Sequence, residues 1–213
     1  PASAVDMSNV AVGANAGLAT TIGKYNTFLG TGAGETNIDG DGAVAIGYKS
    51  LLVQEPGSNA VTDNTAVGFQ SGIAVSTGLR NTLLGADTAA ALTTGNNNIL
   101  IGDSANVSTG AGTNQIVIGV GVTASANNVV MLGNTDTTIW HAADDNGVDL
   151  GSTAYSFKDA YIQGSLKIGD TSGSTYFQFP TATGTAGQIL KVPSSGNTLE
   201  WGTGTGIDFH QTN

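Results

Sequence analysis

Short apolar runs, each ending at a glycine, recur along the first two thirds of the chain. They read NVAVG, NTFLG, AVAIG, NTAVG, NTLLG, NILIG, QIVIG and VVMLG and end at Gly13, Gly30, Gly47, Gly68, Gly85, Gly102, Gly119 and Gly133. The intervals between these glycines are 17, 17, 21, 17, 17, 17 and 14 residues. A repeat of this length is typical of stacked structural units, so each run predicts one rung of a β-solenoid, about eight rungs in all.

Each run has the composition of a short β-strand. The residue before the glycine is aliphatic in all eight runs, and the residue three before it is always β-branched. Such residues favour strands, and the closing glycine favours a turn. Successive side chains of a strand point to opposite faces. Since both faces are largely apolar, both are expected to be buried.

Only one of these faces can be buried by stacking the rungs. A 17-residue rung is too small to enclose a core on both sides of its strand. We therefore expect the second face to pack against another copy of the chain in an intertwined oligomer. A single-chain solenoid with a wider cross-section is the alternative.

Asparagine recurs four residues before the glycine, with Gln115 in the same column. Asn tolerates left-handed turn geometry and hydrogen-bonds nearby backbone, and amides stacked at rung spacing can form ladders. These amides and the eight glycines are predicted to be structural rather than ligand-binding. The asparagines are Asn9, Asn26, Asn64, Asn81 and Asn98.

The 21-residue interval contains an insertion at Gln54–Asp63, with Pro56 and Gly57 inside it. Insertions in solenoids lie in surface loops, often on the binding face. The insertion is therefore predicted to be a contact loop, and the last residues, Gly202–Asn213, are a second candidate. The predicted contact residues of the insertion are Gln54, Glu55, Ser58, Asn59 and Asp63.

The repeat resembles the head β-roll of trimeric autotransporter adhesins and of related phage tail fibres, whose rungs read N-x-A-v-G-x-x-A. The resemblance covers Asn9–Trp140. Two later segments, DLGSTAYSFKDAYIQGSLKIGD at Asp149–Asp170 and TATGTAGQILKVPSSGNTLEWG at Thr181–Gly202, are similar to segments of phage tail fibres. The resemblance implies a homotrimer whose C-terminal part is interleaved fibrous β structure.

The predicted fold is all-β, in four parts. They are an N-terminal attachment segment (1–8), the repeat β-roll (9–140), a transition segment (141–170) and a C-terminal β-hairpin region (171–213). Beyond the repeat, strands are expected at Gly164–Ile168 and Thr175–Phe179, and a helical turn at Phe157–Tyr161. A hairpin is expected from Gly187–Val192 and Thr198–Trp201.

Composition and charge exclude several classes of protein. The chain has no cysteine, which excludes disulfide scaffolds, zinc–thiolate sites and cysteine nucleophiles. Its net charge is −10, so nucleic acid and anionic membrane surfaces are not expected partners. No apolar run approaches the length of a transmembrane helix, so no membrane insertion is expected.

Residues that could carry chemistry are few. The two histidines, His141 and His210, are far apart in sequence, and no spacing supports a catalytic triad. Aromatic residues are only 6%, too few to predict a sugar-cleaving groove around the acidic loops. The acidic stretch Asn37–Gly42 indicates a turn rather than a calcium loop. We expect no enzymatic activity, no cofactor and no metal.

The function that the sequence favours is that of a structural virion fibre or spike, outside the cell, supporting host attachment. Its expected partners are itself, as a homotrimer, other virion proteins, and a host-surface glycan or protein. Two alternatives stay open. One is a fragment of a bacterial trimeric adhesin head, and the other is a glycan-cleaving tail spike.

Overall fold

A computed structural model describes residues 8–57, 60–137, 139, 150, 152, 154–162, 167–169, 176–178, 184–186, 188–191 and 199–203. The chain divides into two units, Pro1–Trp140 and His141–Asn213, which are taken separately. The strands are β1 (Val10–Val12), β2 (Thr27–Leu29), β3 (Val44–Ile46), β4 (Thr65–Val67), β5 (Thr82–Leu84), β6 (Ile99–Ile101), β7 (Gln115–Ile118), β8 (Val129–Leu132), β9 (Lys167–Gly169), β10 (Tyr176–Gln178), β11 (Gln188–Lys191) and β12 (Glu200–Thr203).

The first unit is a β-solenoid of about seven turns with a period of 17 residues. Strands β1 to β8 form one parallel sheet in chain order. Equivalent residues of successive rungs pair directly, as Ala66 does with Leu83 and Leu83 with Leu100. The eight predicted strands and the all-β class are confirmed. The part of the chain that the structure describes contains no helix.

In the first five rungs, three corners have left-handed backbone. One lies directly before the recurring asparagine (the asparagine column). The other two lie two and four residues after the glycine that closes each strand (the column glycine). Asparagine tolerates this geometry, but the residue before each asparagine adopts it. In the first corner the left-handed residues are Ser8, Tyr25, Gly42, Asp63, Arg80, Asn97, Asn114 and Asn128.

The middle residue of each central strand points into the stack and is buried. The largest of them, Phe28, fits because two neighbouring corners are glycine. A Cβ on Gly17 would lie 2.7 Å from the Phe28 ring, and one on Gly34 would overlap it. The inner residues of β2 to β7 are Phe28, Ala45, Ala66, Leu83, Leu100 and Val117.

The asparagine amides join each rung to the next. Asn81 Nδ2 donates to the Gly95 carbonyl of its own rung at 3.0 Å and to Asn64 Oδ1 at 3.1 Å. Its Oδ1 accepts from the Asn98 backbone N–H at 3.0 Å. Such bonds satisfy amides that burial removes from water. The predicted amide ladder is therefore present among the central rungs.

The second unit contains two antiparallel strand pairs. Strand β10 pairs with β9, and β11 pairs with β12 through Leu190 and Trp201. Lys191 and Glu200 face each other across the second pair, with Nζ 3.3 Å from Oε1. All four predicted strands are present, and their bounds differ from the predicted ones by one to three residues.

The predicted helical turn at Phe157–Tyr161 is wrong. The described residues 154–162 contain bends and irregular backbone, without a helical turn. Phe157 is 65% exposed and Tyr161 is 95% exposed. A single helical turn is unstable in water without packing to support it, which explains the difference.

Candidate functional site

The outward face of the solenoid sheet is an uncovered apolar surface. It consists of the two side chains in each strand that flank the buried middle residue. Strand alternation turns both of them away from the stack. Those with the greatest exposure are Val10, Val12, Leu29, Leu84, Ile99, Ile118, Val130 and Leu132, at 38–60% each.

This outward face carries no charged residue. Its two columns hold only aliphatic residues and three threonines, Thr27, Thr65 and Thr82, in a chain of net charge −10. In-register parallel pairing makes the columns continuous across all eight strands. Contiguous apolar surfaces of this kind mark interaction sites in folded proteins. The inner face is buried as the sequence predicts, but the chain alone leaves the outward face open.

The glycine column allows the rungs to pack closely and has no ligand-binding role in this arrangement. A Cβ on Gly68 would lie 2.6 Å from the carbonyl carbon of Gly85 in the next rung, and Gly68 has φ of +141°. A side chain at this position would therefore separate the rungs as well as strain the backbone. Comparable contacts occur at Gly13, Gly30, Gly47, Gly85 and Gly102.

The inserted loop offers less surface than the sequence suggests. Gln54 is fully buried, and its Oε1 accepts from Asn64 Nδ2 at 2.9 Å, so this side chain cannot reach a partner. The Glu55 carboxylate accepts from the backbone N–H groups of Ile38 and Gly57 at 2.7 and 3.1 Å. Asp63 is exposed at a left-handed corner. Ser58 and Asn59 lie outside the described residues.

The acidic turn at Asn37–Gly42 is tied to neighbouring rungs. Asp41 Oδ1 accepts from the Lys24 backbone N–H at 2.6 Å, whereas Asp39 Oδ1 is buried without a hydrogen-bond partner. Over the described ranges, no group of three or more His, Asp or Glu residues could hold a metal ion. His141, Asp144, Asp145 and His210 lie outside them, as do residues 1–7 and 204–213.

One open cavity of about 400 Å³ lies where the repeat shortens from 17 to 14 residues. Its lining includes Val122, Met131 and Asn134 and contains no titratable side chain. Acid–base catalysis needs such a group at the reacting atoms, so this cavity is not built for it. No helix in the described part of the chain has the length and apolarity to cross a bilayer.

No protein-family model, no curated protein and no solved structure matches this chain. The functional assignment therefore depends on the geometry of the outward face and on the resemblance of the repeat.

Proposed function

We propose that the chain is a structural fibre or spike protein of a virion, that it assembles as a homotrimer, and that it supports attachment to a host surface. The observation that carries the proposal is the uncharged outward face of the sheet. The resemblance to adhesin heads and phage fibres supplies the number of copies and the extracellular setting.

The shape of the outward face favours closed assembly. It is narrow, with two side-chain columns, and long, with eight strands. Copies arranged around one axis would each turn the same face toward that axis. The whole apolar surface is then removed from water, and no copy has an uncovered face. Stacking two copies side by side in an open array would leave part of it exposed.

The bonding between rungs suits a stiff shaft. Each rung is joined to the next by strand pairing and, in most rungs, by a buried amide. The chain reaches this dense pairing without cysteine and therefore without disulfides. A stiff trimeric shaft would present three equivalent attachment surfaces, and weak sites then gain from avidity. Other virion proteins would bind the end of the shaft that lies at the virion.

Light scattering on two matched variants tests the assembly. Leu84 is 47% exposed on the outward face, and Leu18 is 65% exposed outside the strands. Leu84→Lys would place three ammonium groups near the common axis, where burying unpaired charge is costly. We expect Leu84→Lys to lower the native mass and Leu18→Lys to leave it unchanged. Equal masses for both variants would overturn the proposal.

A further inference from the structure

Two aromatic rings form an exposed stack on successive rungs. Tyr48 and Phe69 directly follow the column glycines Gly47 and Gly68. Their ring centroids are 5.2 Å apart and their planes differ by 20°. Tyr48 is 40% exposed and Phe69 is 51% exposed. Stacking fixes both rings against the solenoid while leaving much of their surface in water.

The stack stops after two rungs. The same column holds Thr31 in the rung before Tyr48 and Ala86 in the rung after Phe69. The single methyl group of Ala86 is too small to cover a phenyl ring. A planar or flat apolar group can therefore continue the stack beyond Phe69, at the position that a third ring would occupy.

Polar residues neighbour the stack along the chain and across the rungs: Gln70 follows Phe69, and the Asp87 backbone N–H donates to the Phe69 carbonyl at 2.8 Å. Lys49, Gln70 and Asp87 follow the aromatic column by one residue, each at a left-handed corner. Lys49 Nζ lies 5.3 Å from the centroid of the Tyr48 ring, a favourable cation–π distance. Among the hydrogen bonds of the described residues, none involves the Gln70 amide or the Asp87 carboxylate.

We propose that Tyr48 and Phe69 form a binding platform for a neutral hexopyranose unit of a glycan, with Gln70 and Asp87 receiving its hydroxyl groups. A pyranose has an apolar C–H face that stacks on an aromatic ring and a rim of hydroxyls that needs donors and acceptors. The platform offers both. The proposal rests on the proposed attachment function and names the surface and ligand class that would serve it.

Charge separates this ligand from others that stack on aromatic rings. Single-stranded nucleic acid also uses such platforms, but it requires a basic groove. Here the chain carries −10, and the acidic residue Asp87 is bonded through its backbone N–H to the Phe69 carbonyl. The net charge would also repel polyanionic glycans, because the single Lys49 cation at the Tyr48 ring does not offset a charge of −10. A neutral sugar has no such penalty.

Saturation-transfer NMR tests the platform on the full-length chain. The probes are methyl β-D-glucopyranoside, methyl β-D-galactopyranoside and methyl α-D-mannopyranoside at millimolar concentration. We expect transfer to the ring protons of at least one sugar. Phe69→Ala should weaken that binding by about tenfold, as loss of a stacking partner predicts. Gln70→Ala should weaken it while keeping both rings.

Tyr25→Ala is the matched control, because Tyr25 is 67% exposed at a different corner of the rung. It should leave sugar binding unchanged. Absence of transfer to all three sugars would overturn the proposal, as would equal transfer in wild type, Phe69→Ala and Gln70→Ala. Both results would mean that the stack only packs one rung on the next.

Native mass measured on the same samples separates this inference from the proposed function. A trimer that binds none of the sugars would overturn the platform and leave the fibre assembly standing. A monomer would overturn the assembly, whatever the sugars do.

Discussion

Single glycines set the distance between rungs. The column glycines have φ near +130° to +144° in seven of the eight rungs, a region that L side chains rarely adopt. In six of these rungs a Cβ at the glycine would meet the carbonyl group of the next rung, so no other side chain fits there. Sequence analysis identified these positions from their spacing alone, since a recurring glycine after each strand has few other physical explanations.

Alanine at two glycines compares an open left-handed turn with the crowded glycine column. Gly57→Ala introduces a left-handed alanine with no heavy atom within 4 Å of its Cβ, and we expect a loss of about 1 kcal/mol in unfolding free energy. Gly68→Ala adds a clash with Gly85, and we expect about 3 kcal/mol or more. Urea unfolding at fixed protein concentration measures both. Equal losses would contradict the close-packing role of the glycine column.

Asparagine shows where reasoning from residue preference fails. Asn is favoured in left-handed turns, and this was one of two structural roles that the sequence suggests for its column, beside the amide ladder. The structure instead buries the column and gives the corner to the preceding residue, which varies from Tyr25 to Arg80. Five of these eight corner residues are Gly, Asp or Asn, which favour left-handed backbone, so a signal was present one residue before the asparagine column. At Tyr25 and Arg80 the stacked rungs override the preference of the single residue.

Among the elements, the third rung lacks the asparagine of the column, and a glutamine from the insertion takes over its hydrogen bond. Ala43 replaces the asparagine of the third rung, so Asn64 has no asparagine oxygen beneath it. Gln54 supplies that acceptor from the insertion, as Asn64 and Asn81 do for the rungs that follow. The insertion therefore contributes to the core as well as to the surface.

The position of Gln54 relative to the column glycine predicts that its side chain is buried. It stands seven residues after Gly47, as Asn37, Val75 and Leu92 stand seven residues after their own column glycines. All four side chains are buried. The sequence analysis placed Gln54 by its membership of an insertion, which predicts a surface loop, and not by its register within the rung.

Removal of the Gln54 amide should destabilise the solenoid. Gln54→Ala leaves a cavity and withdraws an acceptor from a buried donor, for which we expect a loss of about 2–4 kcal/mol. Gln70→Ala is the control, because Gln70 is only partly buried and its amide has no hydrogen bond within the described residues. It should change stability by less than about 0.5 kcal/mol. Similar unfolding midpoints for the two variants would contradict the role given to Gln54.

At the scale of the whole molecule, the sequence predicts the repeat better than it predicts the surface. Eight strands, their register and the buried middle column follow from periodicity and alternation. The aromatic stack was not predicted, because Tyr48 and Phe69 are separated by the irregular 21-residue interval. Their common position after the glycine was the available signal.

The central claim is that copies of the chain cover the outward face. Its most direct test is the native mass of the purified wild-type chain by light scattering. We expect about three times 21.2 kDa, with the apolar columns of all three copies buried together. A mass of 21.2 kDa would contradict it, because the uncharged face would then remain in water and the solenoid would be stable as a single chain.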